Sequence, residues 1–164
     1  MTGGILAYGL LAALAIALLV AAASDLRTRL IHNRLTFGIA MAAPAFWWAS
    51  GLSLWPGVGA QLALGLAAFG MLAGLFALGA MGGGDVKLLT ALALWLPWQP
   101  FLQLVIAMAL LGGALTLVCM AWHRIARRGG KLEVPYGVAI SAAGLWVIAS
   151  TYGPMAASAI NTGF

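Results

Sequence analysis

The sequence predicts an all-α, polytopic membrane bundle of six transmembrane helices with both termini outside. Three observations lead there. Of 164 residues, 64% are hydrophobic and 7% are charged, whereas charged residues make up about a quarter of a typical soluble domain. Mean hydropathy is +1.06, and apolar runs such as Leu10 to Ala23 are unbroken, unlike the short alternating segments of a β-barrel. The eight Lys and Arg residues all fall in the breaks between apolar runs. Residues 1–164 read as one membrane-embedded domain with no separate soluble part.

The first span covers residues 5–23. It has no basic leader region and no cleavage site followed by a soluble domain, so it is read as a retained helix. Residues 24–34 form a polar loop with three arginines. A second span covers about 35–50 and ends in Phe46-Trp47-Trp48; a third runs from about Val58 to Leu78. Gly70 and Gly74 in the third span are a small-xxx-small pair, expected to pack helices.

Leu88 to Trp122 as one helix would measure roughly 50 Å, too long for a hydrocarbon core of about 30 Å. Pro97 and Pro100 bracket Trp98-Gln99, which reads as a turn. The stretch therefore divides into a short fourth helix and a fifth from about 101 to 122. A basic loop follows, from His123 to Val134, and a last span runs from about Pro135 to Tyr152.

Charge decides the number of spans. With six, Arg27, Arg29, Arg34, Lys87, Arg124, Arg127, Arg128 and Lys131 share one side, which the positive-inside tendency makes cytoplasmic. These residues are expected to set topology and meet anionic headgroups; a nucleic-acid partner is not expected. Trp47, Trp48, Trp55, Trp95 and Trp98 then gather near the outer interface as an aromatic belt. Cys119, the single cysteine, can form neither an intrachain disulfide nor a CxxC metal site and reads as packing.

Only three residues are acidic: Asp25, Asp85 and Glu133. Glu133 is expected to pair with Lys131 or Arg128. Asp25 and Asp85 each stand at the charged end of a span, in Ser24-Asp25-Leu26-Arg27 and Gly82-Gly83-Gly84-Asp85-Val86-Lys87. Ionisable groups near hydrocarbon are costly and point to function. The bland readings are an Asp25 paired with Arg27 or Arg29, and an Asp85 that caps a helix. The sharper reading brings them together: two adjacent carboxyls share a proton, and such a dyad hydrolyses peptides without metal or cofactor. The pair titrates jointly, so neither is assigned as the base. Glycines before Asp85 permit a tight turn and close helix approach.

Gly82-Gly83-Gly84-Asp85-Val86-Lys87-Leu88-Leu89 resembles the GxGD pattern of membrane aspartyl peptidases, with the Val-Lys-Leu of type IV prepilin peptidases. Asp25 through Asn33 resembles that family's first-aspartate motif, and Val134-Pro135-Tyr136-Gly137 its Pro-Tyr/Phe-Gly stretch. Together they resemble the short prepilin peptidases of tight-adherence (Flp-type) pilus systems. The resemblance implies catalytic Asp25 and Asp85, supported by Gly82, Gly84, Lys87, Asn33, Pro135, Tyr136 and Gly137. It implies no cofactor and no metal. The implied partner is a prepilin, with a basic leader and a hydrophobic helix, cleaved at the cytoplasmic face of the bacterial inner membrane. Longer relatives carry paired CxxC motifs and also methylate the new N-terminus; this chain has no CxxC, so methylation is not expected. His32 stands where the family usually has proline.

The rival readings are a preflagellin-type peptidase with the same dyad, a non-enzymatic subunit of a secretion or pilus apparatus, and a proton or solute carrier. A carrier needs ionisable groups at several depths, and the apolar spans hold none. No serine has a His and Asp in a spacing that suggests a serine peptidase. Oligomeric state is left open.

Overall fold

A computed structural model describes residues 2–125 and 134–161, with side chains from residue 3 to 125 and 134 to 154. Among them all regular structure is helical: α1 (Thr2–Thr28), α2 (Asn33–Ala49), α3 (Gly59–Ala77), α4 (Gly83–Ala93), α5 (Trp98–Ile125) and α6 (Tyr136–Asn161). Among the described residues three helical stretches are long and apolar enough to cross a membrane: Gly3–Thr28, Leu54–Ala77 and Trp98–Ile125. Glu133, Lys131 and Arg128 lie outside the described residues, and their expected pairing with them.

The shortest helix holds the centre. α4 packs against α2, α3 and α6, while α1 packs on α2 and α6, and α5 on α6. Val86, Leu88, Leu89, Ala91, Leu92 and Ala93 of α4 are buried, while Lys87 is exposed. The far end of α4 stops inside the bundle, where its last carbonyls need donors that water cannot supply. Gln61 Nε2 donates to the carbonyls of Ala93 and Leu96, both at 2.7 Å. Trp47 Nε1 donates to Leu94 O at 2.7 Å. In return, Trp95 Nε1 donates to Ile39 O of α2 at 2.8 Å.

These bonds correct the aromatic belt. Trp48, Trp55 and Trp98 are exposed, but Trp47 and Trp95 are buried in the core, where their indole N–H groups cap backbone. A second correction concerns Gly70 and Gly74: a Cβ at either would meet nothing within 4 Å. α3 instead turns Gly65, Ala68 and Leu72 inward, and Gly65 lets Leu94 pack on its backbone. Cys119 is half-buried on α5.

The helix boundaries also differ from the sequence expectation. α1 continues through Ser24-Asp25-Leu26-Arg27 and stops only at Arg29, whose left-handed φ of 55° breaks the helix. Thr28 Oγ1 bonds back to Ser24 O at 2.9 Å, supporting this last turn. Trp98-Gln99 opens α5 rather than forming a turn, because Pro100 within a first helical turn forfeits no intrahelical bond. α3 ends on Gly79 at φ 72°. Its N–H reaches Phe76 O while Ala80 N–H reaches Leu75 O, a Schellman cap that turns the chain toward Gly82.

Candidate active site

Asp25 lies in the last turn of α1 and is 6% exposed. Asp85 is the third residue of α4, with Gly82 as N-cap. The capping reading of Asp85 is thus corrected in position: the cap is a glycine, and the carboxyl folds back over it from the first turn. A Cβ on Gly82 would lie 2.9 Å from Asp85 Oδ2. The Gly82 N–H bonds to this carboxyl, as in the return half of a capping box, and the close approach leaves little space for a side chain at Gly82.

Both aspartates line one open cavity of about 770 Å³, together with Asn33, Gly84, Lys87 and Tyr136. Gly82, the N-cap of α4, also lines it, with Thr28, Arg29, Leu30, Ile31, Gly83 and Val134 making up the rest of the wall. The bland reading of Asp25 as a partner of Arg27 or Arg29 finds no bond at Oδ2, which has no hydrogen-bond partner among the described residues.

What draws the three motifs together is Ile31, which the sequence reading passed over. A Cβ on Gly84 would stand 3.3 Å from Ile31 Cβ, and one on Gly137 only 2.9 Å from Ile31 Cδ1. The buried isoleucine therefore wedges between the first turns of α4 and α6, each of which presents a glycine to it. Gly137 also backs directly onto Asp25, its would-be Cβ lying 2.9 Å from Cγ and from Oδ2. Pro135 is buried just before α6 and, with Gly137, lies behind the cavity wall rather than on it. Tyr136 is held at the rim: its ring covers Gly112, and its hydroxyl is 3.1 Å from Thr116 Oγ1. Lys87 Nζ donates to Asn33 Oδ1 at 2.8 Å, tying α4 to the start of α2.

His32 holds its loop by a hydrogen bond. Its Nδ1 is 3.1 Å from Ser24 Oγ, which itself donates to Leu30 O at 2.7 Å. The backbone of His32 already has φ −66° and ψ 130°, the φ that a proline ring imposes. His32→Pro is therefore expected to keep activity within about twofold and to raise stability by up to about 1 kcal/mol by restricting the unfolded chain. A thermal melt in detergent and a cleavage assay check this.

α4 has only 11 residues, and Asp85 lies in its cavity-facing first turn. Burial, then the charge of Asp25, push the Asp85 carboxyl up to about 6, while the Gly82 backbone N–H pulls the other way. A carboxyl raised this far holds its proton where an ordinary aspartate has lost it. Such a pair can present one proton donor and one carboxylate to the same water molecule.

The profile of the type IV leader peptidase family matches residues 12–117, which include both aspartates. The chain belongs to the type IV leader peptidase family. Two similar relatives are the prepilin leader peptidase/N-methyltransferase proteins of Burkholderia pseudomallei strains 1026b and K96243. Each is 31% identical over 151 residues, covering 84% of this chain and 44% of the relative. The chain thus spans less than half the length of these family members. No solved structure matches it significantly.

Proposed function

We propose that this protein is a membrane aspartyl endopeptidase that removes the basic leader from type IV, Flp-like prepilins. The observation that carries the reading is the shared cavity of Asp25 and Asp85 in a chain of the leader peptidase family. In this reading the six helices lie in the inner membrane of a bacterium, with both termini outside. The loops that carry arginine and lysine, and the first turn of α4 with Asp85, lie at the cytoplasmic face. The positive-inside tendency supports that orientation. A dyad at this face meets the junction between a cytoplasmic leader and a hydrophobic helix.

In the proposed reaction the protonated carboxyl polarises the scissile carbonyl, and the ionised partner draws a proton from the attacking water. The tetrahedral intermediate collapses as the new amine takes up a proton. Lys87 and Asn33, bonded to each other, and Tyr136 at the rim frame the bound peptide.

The pH dependence follows from the raised Asp85 carboxyl. A group whose folded-state pKa lies above its unfolded value keeps its proton longer in the folded protein. The proton-sharing state of the dyad is therefore lost as pH rises through about 6. Cleavage measured as kcat/KM should fall along an alkaline limb near that pH, and a flat profile from pH 5 to 8 would contradict the assignment.

The substrate is tested by co-expression with an Flp-type prepilin and, separately, with a preflagellin, reading the shortened product on a gel. Processing of the prepilin alone supports the proposal. Processing of the preflagellin alone moves the protein to the preflagellin class with the same dyad.

A further inference from the structure

We propose that Ser141 is a positioning residue for Asp25, donating its hydroxyl proton to the carboxylate oxygen Oδ2. Two buried side-chain atoms lack a partner among the described residues, and they are Asp25 Oδ2 and Ser141 Oγ. Ser141 is 1% exposed. An unpaired buried hydroxyl or carboxylate oxygen is costly, more so when charged, so two orphans on facing helices call for a partner.

The register of α1 against α6 sets them on facing surfaces, one helical turn apart. Gly137 backs onto Asp25, and Gly144 onto Leu18, whose Cδ1 is 3.0 Å from a Cβ built there. Moving back seven residues on α1 matches moving on seven along α6, so the two helices run antiparallel. Ser141 follows Gly137 by one turn and comes level with Ala21, which is fully buried. Side chains on a helix lean toward its N-terminus. Ser141 therefore leans back toward Gly137, and Asp25 leans toward Ala21. In an antiparallel pair these two directions converge, and Gly137 leaves no side chain between them.

Side-chain torsions are the proposed route to the bond: a serine has other staggered χ1 wells, and its hydroxyl proton rotates freely. Fixing Oδ2 from behind would leave the other carboxylate oxygen for the cavity that Asp25 lines. The charged groups that share this cavity are Asp85, Arg29 and Lys87; Ser141 adds an uncharged donor from the opposite side. The competing arrangement is a bond from Ser141 to the carbonyl one turn back, a common habit of serine in helices.

The kinetic arm of the test rests on the peptidase reading, and the spectroscopic arm does not. Ser141→Ala is expected to lower kcat about five- to tenfold with KM within about twofold, as loss of one hydrogen bond implies. Ala21→Ser, on the Ser141→Ala background, offers a hydroxyl at the same level from α1 and should restore most of the rate. Infrared difference spectra of purified protein, wild type minus Ser141→Ala, should show a shifted carboxylate stretch. That shift should vanish when both proteins carry Asp25→Asn. A carboxylate band that Ser141→Ala does not move overturns the proposal, whatever substrate the protein takes. So does a reduced membrane level with kcat unchanged, which marks a packing role only.

Discussion

Gly137→Ala should cut cleavage about a hundredfold while the protein still accumulates in the membrane. The added methyl would arrive 2.9 Å from Cγ and Oδ2 of Asp25 and from Cδ1 of Ile31, closer than real carbon contacts allow. The atoms that must yield are ends of side chains rather than backbone, so the helices can stay where they are. Asp25 would turn away, and displacement of a reacting group by about 1 Å is enough for a loss of that order. Gly137→Val, with a bulkier branch, should do more. Gly70→Ala is the matched control, because its new Cβ meets nothing within 4 Å, and it should cleave at the wild-type rate. Initial rates on a prepilin in membranes, normalised to enzyme level, give the comparison. A Gly137→Ala enzyme at full rate would mean that Asp25 needs no such close backing.

Much of this arrangement could be read from the residues, and the parts that could not have physical reasons. Asp25, Asp85 and the glycines stood out because carboxylates and Gly-rich breaks are rare in so apolar a chain. The short central helix was legible from the prolines that follow it and from the length limit of a membrane. Ile31 was not, since an isoleucine in an apolar chain carries no signal until two glycines from distant segments are seen to close on it. Gln61 was overlooked because its partners are backbone carbonyls at the end of another helix, which leave no trace in residue type. The same holds for Trp47 and Trp95: a tryptophan suits both an interfacial belt and a buried N–H cap, and only packing distinguishes the two. The α1 boundary was placed early because polar residues begin at Ser24. In fact the helix needs a left-handed residue to stop it, and that is Arg29.

The account depends on two carboxyls acting as one unit, and the largest effects should come from removing either. Asp25→Asn and Asp85→Asn keep the size of the side chain and delete the exchangeable carboxyl proton. Asparagine at either position can neither accept a proton from water nor share one with its neighbour. Each substitution should lower prepilin cleavage about a thousandfold or more, the upper range for removing a general acid or base. Because the residues work together, the double substitution should cost little beyond either single one. The decisive measurement is therefore cleavage of a co-expressed Flp-type prepilin by wild type and by each Asn variant, at matched membrane levels. Cleavage by wild type and none by either variant is the predicted result; cleavage that persists in Asp25→Asn or in Asp85→Asn would contradict the aspartate pair.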